Sequence, residues 1–136
     1  MSKKVVVFDL DDTLIHQGFE EIHPILCLET ENVINYLVQK GYAMAVASHN
    51  KSASTRLHAI KLHQHFAVVH GYVPECVTKN PHLQQIATTL QVPPSSVVLF
   101  DDLKSNIRAA KAIGVDAYLV NWKTGITMRD IEKANL

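Results

Sequence analysis

Four apolar residues, Val5 to Phe8, run straight into Asp9, and two more acids follow at Asp11 and Asp12. A β-branched run without polar alternation is the pattern of a strand buried on both faces, which belongs inside a parallel sheet flanked by helices. An acidic group directly after VVVF is costly to bury without a partner, and two more acids beside it raise that cost. The run FDLDDTL therefore points to a strand end with a chemical purpose.

The rest of the chain repeats this apolar theme in alternation with helical patterns. Thr30 to Lys40 reads as a helix: Val33, Ile34, Leu37 and Val38 share one face, Thr30 can cap the start and Gly41 ends it. AMAVAS is a second buried strand, and a helix follows from about Ser52 to His65 with Leu57 and Ile60 inward. AVVH is a short third strand. Asn80 and Pro81 read as a cap and first helical position, opening a helix with Leu83, Ile86, Ala87 and Leu90 inward. SVVLF is a fourth strand, ending at Asp101 and Asp102. A helix from Lys104 to Ile113 stops at Gly114, and DAYLV is a fifth strand. Thr127 and Asp130 are spaced as a capping box for a short last helix. Residues 15–28, with Gly18 and Pro24, read as irregular. Strand and helix in alternation is the signature of right-handed βαβ units, an α/β fold on a parallel sheet.

A length of 136 residues suits one domain, 1–136, and no Pro/Gly/Ser-rich linker divides it. Hydrophobic residues at 47% supply a core, and the formal net charge of zero removes the usual electrostatic drive toward polynucleotides or membrane surfaces. Cys27 and Cys76 form no C-x-x-C arrangement, so a reducing, cytoplasmic setting is expected. The apolar run after MSKK stops at Asp9, too short for a signal segment, and no stretch approaches transmembrane length.

In open parallel sheets, ligands sit outside the carboxyl ends of the strands. Those ends carry Asp9, Asp11, Asp12 and Thr13, then Ser48, His49 and Asn50, then Asp101 and Asp102. Lys79 precedes the helix that leads into the fourth strand. Taken alone, Ser48 reads better as a helix cap, Lys79 as a solvated surface residue, and the pair Asp101–Asp102 equally as cap or ligand. Their convergence on one sheet edge outweighs those readings. Clustered carboxylates repel one another, a hard cation such as Mg²⁺ relieves that, and a lysine and a hydroxyl remain to hold a phosphate.

DLDDT at Asp9–Thr13 resembles the D-x-D-x-T motif of the haloacid dehalogenase superfamily. Ser48 in VASHN is similar to its second motif, Lys79 in TKNPHL to its third and FDDLKSNIRAAKAIGV to its fourth. The resemblance runs from about Val5 to Val120. It implies a Rossmann-like three-layer sandwich whose central five-stranded parallel sheet has the order 5-4-1-2-3. It also implies a phosphatase in which Asp9 attacks phosphorus to form an aspartyl-phosphate. Asp11 would protonate the leaving alkoxide and then serve as base for water, in an environment unlike that of Asp9, with Thr13 orienting it. Ser48 and Lys79 would bind phosphoryl oxygens, with His49 and Asn50 beside them for substrate. Mg²⁺ would be held by Asp9, the Asp11 main-chain carbonyl and an acid of the fourth motif. There Asp102, four residues before Asn106, is the expected direct ligand and Asp101 its neighbour. Asn106 would act through water or by fixing Lys79.

Superfamily members often carry a cap domain between motifs one and two or between motifs two and three. Residues 14–47 hold one helix, one strand and a loop; residues 49–78 hold one helix and one strand. Neither gap leaves room for a cap domain, so the site is expected to be open, serving a macromolecule or covered by a second copy. Among capless members the chain is most similar to the magnesium-dependent phosphatase family, through VASHN, LFDDLKSNI and NWKTGIT. It departs from that family at Asp12 and Ile15, where aromatic residues are usual. A phosphorylated small molecule or phosphoprotein is the expected partner, with no membrane and no polynucleotide, and the chain is expected to be a monomer or homo-oligomer. Eight histidines are many for this length. His63 and His65 are spaced wrongly for a shared helical face. His16, His23 and His49 read as loop residues near the site, and Trp122 and Lys123 as its rim. Two other classes share parts of this pattern: a phosphorylatable receiver domain, whose phosphorylated Asp follows strand three, and an inactive phosphate-binding module on this fold.

Overall fold

Each apolar run becomes a strand in the structure, a computed structural model that describes residues 4–16, 24–71 and 78–136. The strands are β1 (Val5–Phe8), β2 (Ala43–Ala47), β3 (Val68–His70), β4 (Val97–Asp101) and β5 (Asp116–Leu119). All pair in parallel, in the order β3-β2-β1-β4-β5, which is the expected order seen from the opposite edge. Gly18, His23 and Cys76 lie outside the described residues.

Alternation along β1 decides which layer each side chain joins. Val6 and Phe8 pack with Val33, Ile34 and Leu37 of α1 (Thr30–Lys40), Leu57 of α2 (Ala53–Ala59) and Ile131 of α5 (Met128–Lys133). Val5 and Val7 point the other way, onto Leu83 and Ile86 of α3 (Asn80–Thr89) and Ile107 and Ala110 of α4 (Lys104–Ala112). Three layers result, with β1 shielded on both faces. Burying each such side chain contributes about 1.5–3 kcal/mol before the entropy of ordering it is subtracted.

The helix ends follow their local chemistry, with three differences from expectation. Gly41 closes α1 in the left-handed conformation at φ 80°, which costs glycine nothing. The capping box of α5 is present, with Thr127 and Asp130 bonding reciprocally. Thr30, however, does not cap α1. It is the first helical residue, and its hydroxyl donates to the Leu14 carbonyl at 2.7 Å, tying α1 to the loop after β1. The helix expected to reach His65 stops at Ala59. Lys61 turns left-handed at φ 59°, and a separate 3-10 turn spans His63–His65. Asn80 is not a cap either: it sits inside α3 and donates to the Ala109 carbonyl at 3.0 Å, bracing α3 against α4.

Candidate active site

Asp9 lies one step beyond β1, on the side of Val5 and Val7, and Asp101 closes β4 on the same side. The ladder continues past the strand end, with the Asp9 amide donating to the Phe100 carbonyl at 2.9 Å. The layer on that side is α3 and α4, so the groups that meet Asp9 come from their first turns. Lys79, immediately before α3, is 2% exposed; its ammonium donates to Asp9 Oδ1 and Asp101 Oδ2, both at 2.6 Å. Asn106 in α4 donates to the same Asp101 oxygen at 3.1 Å, and the Leu103 amide takes the other at 3.0 Å. Asp101 is fully buried, and its carboxylate accepts from these three donors. It holds Lys79 in place, and Asn106 fixes that holder.

Asp102 differs. It is partly exposed and lines a cavity of about 270 Å³ together with Asp9, Asp11, Asp12, Ser48, His49, Asn50, Lys79, Leu103 and Asn106. Carboxylate oxygens of Asp9, Asp101 and Asp102 lie within 4.8 Å of one another. Burial pushes the Asp9 carboxyl well above the ordinary carboxylate range; Lys79 opposes that, while Asp101 and a hydrogen bond to Asp102 add to it. Burial likewise raises Asp102. Carboxyls driven toward protonation by each other and by burial are what a bound cation relieves, and an oxygen-only donor set fits a hard divalent ion. Asp101 already accepts three hydrogen bonds, whereas Asp9 and Asp102 face the cavity. For Lys79, burial alone would lower its ordinary value, but Asp9 and Asp101 outweigh it and keep the ammonium charged.

Ser48 follows β2 directly, one strand away, buried, its amide donating to the His70 carbonyl at 2.9 Å. Its hydroxyl accepts from the Asn50 amide at 2.9 Å, and Asn50 Oδ1 accepts from the Ser52 amide at 2.7 Å, ahead of α2. That folded turn presents Asn50 Nδ2 to Asp11 Oδ2 at 3.0 Å. The other Asp11 oxygen takes Arg56 Nη1 at 3.2 Å, from a buried residue of α2. Asp11 thus meets an amide and a guanidinium, and Asp9 an ammonium. The two carboxylates therefore have different partners. The Asp11 carboxylate lies outside the Asp9–Asp101–Asp102 group.

Thr13 does not hold Asp11. Its hydroxyl is fully buried and has no hydrogen-bond partner among the described residues; its carbonyl accepts from the Ile126 amide at 2.8 Å, pinning the loop to the C-terminal segment. Arg56, with Asn50, contacts the Asp11 carboxylate in place of Thr13. An arginine in the middle of a helix reads as solvated, so periodicity conceals it. Asp12 has a backbone reason to be acidic: its φ is 61°, a left-handed position that Asp tolerates better than most residues. His49 lines the cavity, and burial, then Lys79, hold it below the ordinary histidine range. His16 lies instead beside Cys27, Nδ1 to Sγ 4.0 Å. Trp122, with Lys123 Nζ 5.7 Å from its ring centroid, is exposed after β5 and is not among the cavity residues. His63 stacks on His58, not on His65. Beyond β3 comes Gly71, so the carboxylate that a receiver domain needs there is missing.

A buried ammonium shared by two strand-end aspartates, with a third acid and a serine facing the same cavity, defines a class of hydrolase site on a parallel sheet. The family is identified by comparison: residues 16–120 match the haloacid dehalogenase-like hydrolase family, and the chain belongs to it. That span begins after Asp9–Thr13, whose assignment rests on the motif and the geometry. No curated protein matches the sequence. Solved structures of the same fold include a hydrolase from Streptococcus pneumoniae TIGR4, at 15% identity and TM-score 0.78, covering 100% of both chains. A D,D-heptose 1,7-bisphosphate phosphatase from B. bronchiseptica, solved with magnesium and phosphate, is 17% identical with TM-score 0.70, covering 98% of this chain and 88% of its own. A haloacid dehalogenase-superfamily hydrolase of subfamily IA from Geobacter sulfurreducens PCA is 14% identical with TM-score 0.69, covering 87% and 89%.

Proposed function

We propose that this hydrolase is a magnesium-dependent phosphomonoester phosphatase that works through an aspartyl-phosphate on Asp9, at an open site without a cap domain. One observation carries the reading: a Lys79 ammonium at 2.6 Å from Asp9 Oδ1, beside Asp102, in a cavity that Ser48 also lines. Asp9 directly follows β1, has a cationic partner in Lys79 and faces the cavity.

The substrate phosphoryl group would lie against Lys79 and the Ser48 hydroxyl, which neutralise and orient its oxygens. An Asp9 oxygen forms a bond to phosphorus as the ester oxygen leaves with its electron pair, taking a proton from Asp11. Water then attacks phosphorus, its proton passes to Asp11, and the Asp9–phosphorus bond breaks to restore the carboxylate. Mg²⁺ bound by Asp9, Asp102 and the Asp11 main-chain carbonyl would offset the negative charge that grows on the phosphoryl group. Asp101 supports Lys79 and is not needed as a direct ligand.

The described residues include no helix long and apolar enough to cross a membrane. Cys27 is a free, buried thiol, which fits a cytoplasmic setting. Phosphorylated small molecules and phosphoproteins are the substrate classes to screen, and either a monomer or a homo-oligomer fits. The test is release of 4-nitrophenol from 4-nitrophenyl phosphate: activity with Mg²⁺, none in EDTA, and none in Asp9→Asn. Equal turnover by wild type and Asp9→Asn would overturn the nucleophile; full activity in EDTA would overturn the metal.

A further inference from the structure

Asp11 is gripped at both oxygens, Oδ2 by Asn50 and Oδ1 by Arg56. Asn50 is itself immobilised by the Ser48 hydroxyl and the Ser52 amide. Arg56 projects from the middle of α2, and its side chain is 7% exposed. It pays the entropic cost of ordering a long side chain to meet a carboxylate that keeps 26% of its own surface open. A surface ion pair contributes little to stability, yet this arginine is buried beside the cavity and is not one of the residues that line it. Its guanidinium can fix the direction of Asp11 without reaching a substrate.

We infer that Arg56 is the positioning residue that, with Asn50, aims the Asp11 carboxylate at the hydrolytic water. The inference rests on the phosphatase reading above. In the second half-reaction the water oxygen bonds to phosphorus and one water proton moves to Asp11. The phosphorus–oxygen bond to Asp9 breaks, its electron pair returning to the Asp9 carboxylate. Without the guanidinium, Asp11 is held at one oxygen only and can rotate about its side-chain torsions. Misplacement by about 1 Å costs roughly 100-fold in rate. Formation of the phosphoenzyme from an aryl phosphate needs less help, because the phenolate leaves without full protonation. The two half-reactions therefore separate.

The experiment is pre-steady-state turnover of 4-nitrophenyl phosphate with Mg²⁺ by wild type, Arg56→Met and Arg56→Lys. Arg56→Met should show a stoichiometric burst of nitrophenolate, accumulate base-labile phosphoenzyme and lose roughly 10- to 100-fold in kcat, with KM changed less than about threefold. Arg56→Lys restores a cation on a similar stem and should recover much of that loss. A general loosening of the fold would raise KM and abolish the burst together. Unchanged kcat in Arg56→Met, or a loss of kcat with no burst, overturns the role of Arg56. If Arg56→Met does not fold, the neutral Arg56→Gln decides: a burst with reduced kcat supports the inference, and wild-type kinetics overturn it. No turnover by wild type itself overturns the phosphatase reading, and the inference falls with it.

Discussion

Lys79→Met removes one charge and keeps most of the stem, so it isolates what the ammonium does. The group is 2% exposed and is held at 2.6 Å by Asp9 and Asp101. Breaking a buried ion pair by deleting one partner costs about 3–5 kcal/mol, because the remaining charge is left without compensation. Here two carboxylates are left, and they face one another. Asp9 can escape part of the cost by taking up a proton, toward which burial already pushes it. That puts the loss at the lower end, about 3 kcal/mol at neutral pH. For a domain of this size 1 kcal/mol moves Tm by roughly 3–5 °C, so the variant should melt about 10–15 °C below wild type in EDTA. Thermal unfolding followed by circular dichroism measures it, with the exposed Lys111→Met in α4 as control. Added Mg²⁺ should narrow the gap, since a cation on Asp9 and Asp102 replaces part of the missing charge. A fall under about 3 °C in EDTA would mean that the ammonium is not clamped, and the reasoning would fail.

Two further outcomes follow from the packing. Burial, then His70, His49 and Lys79, hold His82 below the ordinary 6.5, and burial does the same to His70, on which it stacks with centroids 5.2 Å apart. Lowered values mean the unfolded chain binds more protons, so stability is fully present above pH 6.5 and declines as pH falls through it. His82→Phe keeps the stack and should flatten that decline in urea unfolding between neutral and mildly acidic pH; an identical slope would assign it to other groups. Gly125 sits at φ 70°, where an added Cβ would overlap Cys27 Sγ, lie 2.5 Å from Cys27 Cβ and lie 2.8 Å from the Thr13 carbonyl. Gly125→Ala should cost at least about 2–3 kcal/mol. Cys27→Ala should rescue only part, because the backbone contact remains, and a neutral Gly125→Ala in chemical denaturation would refute the packing.

The elements most legible in sequence were those whose burial is continuous. The strands β1, β2 and β4 announced themselves because a strand covered on both faces has no polar alternation, whereas the edge strands β3 and β5 are only partly buried and read from short apolar runs; Gly41, Gly114 and the Thr127–Asp130 box marked helix ends by their own backbone needs. What periodicity could not supply was competition between partners for one group. Thr30 suits a cap, but the Leu14 carbonyl claimed its hydroxyl. Leu57 and Ile60 carry the helical spacing onward, yet the chain turns at Lys61. At the site, the motifs located the acids and implied a role for each, with Asp102 ahead of Asp101 as metal ligand. Burial is what they could not show: Asp101 is enclosed by three donors, while Asp102 faces the cavity. The Arg56–Asp11 pair joins residues 45 apart, a relation that no local pattern encodes.

The Lys79 ammonium bridges partners 70 and 22 residues away in the chain. Contacts of such span form only after the intervening loops have closed, so the site is a late product of folding and has no local precursor in the unfolded chain. Ligand and fold are therefore thermodynamically linked across the whole domain. A cation or phosphate ester at about 100 times its dissociation constant adds about 2.7 kcal/mol to the folded state. Occupancy of one cavity at the sheet edge would thus govern how often the entire chain opens, and with it the exposure of its strands to proteolysis and aggregation.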